Sequence, residues 1–103
     1  MSQVSAFSPT GGCTSLAVTA SSQTLTPDAS GMMSQYRILV DGTVKVFIRF
    51  GAAGSSPVAT VADPSIPLFP GVVEVFTLPP GVVIAAIAAS TGSTIYVTPG
   101  EGM

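Results

Sequence analysis

Few residues of this chain could carry out covalent or acid–base chemistry. The 103 residues include no histidine and a single cysteine, Cys13. A serine or threonine nucleophile needs a base to activate it, and histidine is the usual one. A reactive thiol needs a cationic neighbour or a helix N-terminus, whereas the first charged residue along the chain is Asp28. The sequence therefore predicts no catalytic residue, and we expect a protein that is not an enzyme.

The carboxylates are too scattered to suggest an acid–base pair or a metal site. Asp28, Asp41 and Asp63 each stand beside Pro or Gly, where a short carboxylate shapes a turn. Glu101 lies near the end of the sequence, and Glu74 lies within a predicted strand. Zinc needs several Cys or His ligands, and calcium favours a loop of regularly spaced acidic residues. We therefore predict no metal site and no cofactor.

The three cations, Arg37, Lys45 and Arg49, all lie between positions 37 and 49, and the net charge is −2. Nucleic-acid binding takes a basic patch of roughly six or more phosphate contacts, so we expect no nucleic-acid partner. The uncharged apolar run 82–89 is far shorter than the ~20 residues that cross a bilayer. We expect no membrane partner and, from the polar start of the chain, no signal peptide.

The low charge is informative in itself. Charged residues make up 8% of the sequence, whereas about a quarter is usual in soluble domains. Positions 1–27 and 75–100 carry no charged side chain at all. Such a distribution predicts surfaces that are covered by other protein chains, which is typical of assembly proteins.

Two β-rich runs, 36–40 and 44–50, flank the turn signal Asp41-Gly42 and predict a β-hairpin. Because successive side chains of a strand point to opposite faces, only one loop length keeps the apolar faces together. A three-residue loop, 41–43, does so, with Gly42 in the left-handed conformation. The predicted core face consists of Tyr36, Ile38, Val40, Val44, Val46, Ile48 and Phe50. The opposite face then carries Arg37, Leu39, Lys45, Phe47 and Arg49.

The rest of the chain alternates between strand-length runs and turns. An extended piece or short strand is predicted at 58–61, and turns at 70–71, 80–81 and 99–100. No window predicts an amphipathic helix with caps. Together these signals predict an all-β fold, a jelly-roll-like β-sandwich of about seven or eight short antiparallel strands. A small β-barrel is the alternative.

We interpret the chain as one domain with two parts. Residues 1–34 form a low-charge N-terminal arm with one or two short strands, and residues 35–103 form the sandwich core. Phe7, Leu16 and Val18 are too apolar for a purely solvated tail, so we assign them to an interface with a partner.

The outer face of the predicted hairpin has two interpretations of equal weight. It is either a solvated strand face or a contact patch, since Arg beside an aromatic residue is typical of interface anchors. Leu39 and Phe47 favour contact, because apolar side chains point outward there only if something covers them. The arm of the same chain is one possible cover. Arg37, Leu39, Lys45, Phe47 and Arg49 are therefore candidate interface residues.

Three segments carry a resemblance to known proteins. They are Arg-Ile-x-x-x-Gly-Thr-Val-x-Val-Phe-x-Arg-Phe-Gly at 37–51, Val-Glu-Val-Phe-x-Leu-Pro-Pro at 73–80 and Thr-Pro-Gly-Glu-Gly at 98–102. In these segments the chain resembles small virion proteins of tailed bacteriophages, of the head-decoration or cementing type. The resemblance spans roughly the last two-thirds of the chain, and its motifs are structural.

The resemblance implies a protein that decorates and stabilises a capsid by oligomerising and bridging capsid subunits. Its implied partners are the major capsid protein and itself, with a homotrimer favoured over a dimer. Its implied location is the outer capsid surface of a virion assembled in the host cytoplasm. The alternative is a ligand- or carbohydrate-binding β-module of a phage tail fibre or spike. The absence of Trp weakens that alternative, because sugar sites favour exposed aromatic side chains.

Overall fold

The computed structural model describes residues 8–9, 12–27, 34–61, 65–79 and 81–101. These residues form nine strands and no helix, which confirms the predicted all-β fold. The strands are β1 (Ser8–Pro9), β2 (Thr14–Val18), β3 (Gln23–Leu25), β4 (Ser34–Gly42), β5 (Val46–Gly51), β6 (Ile66–Leu68), β7 (Val73–Leu78), β8 (Val83–Ala88) and β9 (Ser93–Glu101).

The strands make two separate antiparallel sheets. In sheet A, β7 pairs with β4 and β4 pairs with β9, while β1 and β2 share the far edge of β9. In sheet B the order is β3-β8-β5-β6. The predicted sandwich is therefore confirmed. The barrel alternative is wrong, because the two sheets do not close on each other.

The strand order is that of a rolled ribbon. β5 pairs with β6, β4 with β7, β3 with β8 and β2 with β9, so the chain up to β5 runs antiparallel to the chain from β6 onward. The ribbon then curls until β4 also pairs with β9 and β5 also pairs with β8. Eight strands wound in this way into two sheets form a jelly roll.

The predicted hairpin between β4 and β5 is wrong. β4 lies in sheet A and β5 lies in sheet B, so the segment 43–45 crosses from one sheet to the other. The hairpin partners are β7 for β4 and β6 for β5. Side-chain alternation shows which residues face the core, but it is the same for a hairpin and for an arch between two facing sheets.

The predicted core face is nevertheless correct. Tyr36, Ile38 and Val40 from sheet A and Val46 and Ile48 from sheet B are all fully buried. Val44 and Phe50 are partly buried and pack against this core. The two strands contribute to the same core from opposite sides, together with Leu25, Ile84, Ala86, Ile95 and Val97.

The crossing between the sheets is held by Ser93, which begins β9. The Val44 amide donates a hydrogen bond to Ser93 Oγ (3.0 Å), and that hydroxyl donates one to the Val44 carbonyl (2.6 Å). The Thr43 amide donates to the Gly92 carbonyl (3.1 Å). The backbone polar groups of a chain that leaves its sheet are thus satisfied by a buried hydroxyl and by the neighbouring loop.

The turn predicted at 70–71 is confirmed, and the turn predicted at 99–100 is not. At 70–71 a turn is present: the Val72 amide donates to the Phe69 carbonyl (3.2 Å), and Gly71 has a φ of +82°, as a type II turn requires. The predicted turn at 99–100 is wrong, because Pro99 and Gly100 lie within β9 opposite β4. The β1 and β2 pairings of β9 are interrupted beside Pro99, which has no amide hydrogen to donate.

The strands in the segment predicted to be an arm belong to the two sheets. β1 and β2 pair with β9, and β3 pairs with β8. The piece predicted at 58–61 is not a strand.

Replacing Gly42 by alanine is expected to lower the free energy of unfolding by more than about 3 kcal/mol. Gly42 has a φ of +143°, and a Cβ there would collide with the Gly92 carbonyl oxygen and lie 2.6 Å from Ser93 Cα. Gly71→Ala is the matched control, because Gly71 also has a positive φ but has open space around it. It is expected to cost only about 1 kcal/mol. Urea unfolding measures both; equal losses would contradict the close approach at Gly42.

Replacing Ser93 by alanine is expected to lower the free energy of unfolding by about 2 kcal/mol, because it leaves both backbone groups of Val44 without their partner. Ser90→Ala, at an exposed position in the preceding loop, is the control and is expected to change stability little. Thermal and urea unfolding report the difference. A Ser93→Ala protein as stable as the control would show that the hydroxyl does not hold the crossing.

Candidate functional site

The predicted contact patch is split between the two outer faces of the sandwich. Arg37 and Leu39 point outward from sheet A, whereas Lys45, Phe47 and Arg49 point outward from sheet B. The prediction that all five share one face is therefore wrong, and the reason is the crossing at 43–45. We call the outward side of sheet A face A, and that of sheet B face B.

The three interface candidates in the predicted arm do not form a surface within the described residues. Val18 is 1% exposed and belongs to the core. Leu16 pairs with Ile95 and packs against the same core, partly buried. Phe7 lies outside the described residues. Leu16 and Val18 thus pack inside their own chain.

Face B carries a cluster of one cation and two aromatic rings. Lys45 Nζ lies 5.2 Å from the centroid of the Phe47 ring and 5.4 Å from that of Phe69. Cation–π contacts at exposed positions contribute about 0.5–1 kcal/mol each, enough to orient the ammonium group and the rings. Phe69 is 59% exposed although it is a large apolar side chain. The cluster therefore presents an apolar surface beside a positive charge.

A strap formed by residues 52–61 crosses the rest of face B. The Ala59 amide donates to Ser22 Oγ (2.9 Å), and the Thr60 amide donates to Ser65 Oγ (2.9 Å). Arg49 reaches the Val58 carbonyl at 3.5 Å. Ala85 pairs with Arg49 on the outward side of β8 and is 0% exposed.

Most of the exposed large apolar side chains of the described residues lie at or beside this strap and the neighbouring edge strand. Val58 is 60% exposed, Val61 is also exposed, Ile66 begins β6, and Phe69 follows β6. Monomeric proteins seldom expose such groups together without a use for them. Ile66 lies opposite Ile48 and so is on the core-facing side of β6, whereas Phe69 lies on face B, where exposed apolar groups are combined with two of the three cations.

Face A is different, because it contains a concave site. Cys13, Arg37, Leu39, Tyr96 and Thr98 line a depression of about 260 Å³. The register places Arg37 directly opposite Thr98, and Leu39 directly opposite Tyr96. These four residues stand on β4 and β9, which have paired neighbours on both sides. The depression is therefore built on the most constrained strands of sheet A.

Arg37 is the only cation on this face. Within the described ranges its guanidinium group takes part in no hydrogen bond or ion pair. The residues directly opposite Arg37 on the two neighbouring strands, Thr98 and Val75, are uncharged. Asp41 lies further along the same strand. A positive charge that no described carboxylate neutralises thus lies beside a tyrosine ring and a threonine hydroxyl.

Two residues with exposed rings, Tyr96 and Phe69, were not among the predicted interface residues. The signal for Tyr96 is present in the sequence, because Ile95 and Val97 face the core and alternation then directs Tyr96 outward. The signal for Phe69 is weaker, since it lies between a short edge strand and a turn. The described residues contain no cluster of three potential metal ligands. Nor do they form a helix long and apolar enough to cross a membrane.

No protein-family model, curated protein sequence or solved structure matches this chain.

Replacing Gly51 by alanine is expected to lift the strap from face B. A Cβ at Gly51 would lie 2.8 Å from Pro57 Cγ, and the strap must move to accept it. Cleavage of residues 52–61 by thermolysin should then become at least several-fold faster than in the unchanged protein. Gly54→Ala is the control, because a Cβ at Gly54 meets nothing within 4 Å. Equal cleavage of the Gly51→Ala, Gly54→Ala and unchanged proteins would contradict the packing of the strap on β5.

Proposed function

We propose that this chain is a structural virion protein that decorates and stabilises a bacteriophage capsid, and that it binds the shell through face B. The observation that carries the proposal is the exposed Phe69 ring held beside Lys45, next to the exposed apolar side chains of the strap. The resemblance of segments 37–51, 73–80 and 98–102 to decoration proteins supplies the identity of the partner.

The composition of face B suits a protein contact. Interface cores are depleted of charged residues and enriched in aromatic side chains and arginine, which often carry most of the binding energy. Phe47 and Phe69 are the anchors in this proposal, with Arg49 beside them. Lys45 and Arg49 would meet acidic groups on the shell, and such charge complementarity accelerates encounter and fixes orientation.

A cementing role does not require a strong single contact. A specific interface typically covers roughly 1,200–2,000 Å². When many copies bind a lattice and also bind one another, each contact raises the effective concentration for the next. The jelly roll is compatible with this role, because it occurs in viral capsid domains, although it also occurs in lectins. Fold alone does not decide between them.

Self-association is part of the proposal, with a homotrimer favoured over a dimer. β7 pairs with β4 on one side, and no other described strand pairs with its second edge. An edge strand with free backbone groups is a ready surface for a second copy. Light scattering of the free protein at increasing concentration tests this point, and a monomer throughout would contradict it.

One observation favours the second candidate function, a ligand- or carbohydrate-binding module of a tail fibre or spike. Tyr96 is 36% exposed and lines the depression on face A, so an aromatic ring is available to a ligand. The depression lies on the opposite side of the sandwich from face B. The two functions are therefore separable by substitutions on the two faces.

Replacing Phe69 by serine is expected to weaken binding to capsids that lack this protein by at least about tenfold, because an exposed aromatic anchor is lost. Lys45→Glu is expected to weaken binding to these capsids more than Phe69→Ser does when the ionic strength is low. Tyr96→Ser, on face A, is the matched control and should bind as the unchanged protein does. Occupancy is measured by sedimentation of capsids with increasing protein, and stabilisation by the temperature at which the shells open.

Two results would overturn the proposal. One is the absence of saturable binding of the unchanged protein to the capsids. The other is binding that Tyr96→Ser weakens and Phe69→Ser leaves unchanged, which would place the contact on face A. Since Phe69 is exposed, its replacement is expected to leave the unfolding midpoint close to that of the unchanged protein.

A further inference from the structure

We infer that the depression on face A is a binding site for a carboxylate-bearing sugar residue, with Arg37 as the anchor for the carboxylate. This site is distinct from the contact proposed for face B. It rests on the residues that line the depression and on their register, and it holds whether or not the chain decorates a capsid.

The charge of the site selects an anion. Arg37 lines the depression, and its guanidinium group donates no hydrogen bond to any other described residue and forms no ion pair with one. Arginine binds a carboxylate through two parallel hydrogen bonds, a geometry that combines affinity with orientation. A neutral ligand would leave this group unused, and a cation would be repelled by it.

The shape and the other lining groups select a sugar ring. A volume of about 260 Å³ is slightly below the roughly 300–1,000 Å³ of sites for drug-sized ligands, which suits one ring. The Tyr96 ring and the Leu39 side chain supply an apolar surface for the ring's C–H groups. The Thr98 hydroxyl, directly opposite Arg37, is available for the ring's hydroxyl groups.

The position of these groups favours a small ligand over an acidic segment of another protein. The depression is small, about 260 Å³, and two of its polar residues, Arg37 and Thr98, lie opposite each other on two paired strands. Such placement on rigid elements preorganises a site for one ligand orientation. Phe69 and the exposed apolar side chains of the strap, which suit a protein partner, lie instead on face B, whereas face A exposes Val73 and Tyr96.

The test is a titration of the full chain followed by NMR, with four probes. Methyl glucuronide and N-acetylneuraminic acid are expected to shift the amide resonances of Leu39, Tyr96 and Thr98 and to saturate. Methyl glucoside, which lacks the carboxylate, is expected to bind at least about tenfold more weakly, because a charged hydrogen-bonding pair is lost. Acetate, which lacks the ring, is expected to bind more weakly still.

Substitutions locate the site. Arg37→Gln is expected to weaken binding of the acidic sugars by at least about tenfold, while Arg49→Gln, on face B, leaves it unchanged. Alkylation of Cys13, the only cysteine of the chain, places a group at the edge of the depression and is expected to reduce binding. The alkylated protein retains Arg37, so it tests the location without altering the anchor.

Several outcomes would overturn the inference. They are the absence of saturation by either acidic sugar up to high millimolar concentration, equal binding of the glucoside and the glucuronide, and equal binding of acetate and the acidic sugars. Loss of binding in Arg49→Gln but not in Arg37→Gln would also overturn it. Because Arg37 is exposed, an unchanged unfolding midpoint of Arg37→Gln is the check that the variant folds.

Discussion

The pairing of β9 with β4 is the constraint on which the rest of the structure depends. It runs from Gln35 opposite Gly100 to Gly42 opposite Ser93, and it closes the rolled ribbon by joining two strands that are not hairpin partners. Once β9 occupies that side of β4, β5 cannot lie there and must continue in the other sheet. The same pairing places Ser93 where its hydroxyl satisfies both backbone groups of Val44. It also sets Tyr96 and Thr98 beside Leu39 and Arg37, and so creates the depression on face A.

The crossing between the sheets gives the sandwich two unlike outer faces. β4 and β5 point their apolar residues at each other across one core, so their remaining side chains point in opposite directions out of the molecule. Arg37 is therefore the one cation on face A, while Lys45 and Arg49 lie on face B with Phe47, Phe69 and the strap. One short stretch of sequence thus supplies the charge of two separate surfaces.

The fold explains part of the absence of charged residues from positions 1–27 and 75–100. The 75–100 stretch includes β8, in which residues 83–86 and 88 are buried. Ala85 is small and fully buried although it lies on the outward side of β8, and a charge there would be costly. Within positions 1–27, Val18 and Leu25 belong to the core. Part of the charge deficit of these two stretches thus reflects burial within the chain.

Alternation in the sequence determined the all-β class, the turn at 70–71 and the core residues of β4 and β5, because the period of a strand and the chemistry of Pro-Gly are local properties. It also placed Arg37, Leu39, Lys45, Phe47 and Arg49 on the outward side. It did not determine which strand lies next to which, since the Asp41-Gly42 signal suits an arch as well as a hairpin. Only the tertiary structure decided that Pro99 continues a strand, that the five outward residues divide between two faces, and that Tyr96 lies opposite Leu39 and Thr98 opposite Arg37. Those are pairings between residues far apart in the chain, and they depend on how the whole ribbon buries its apolar side.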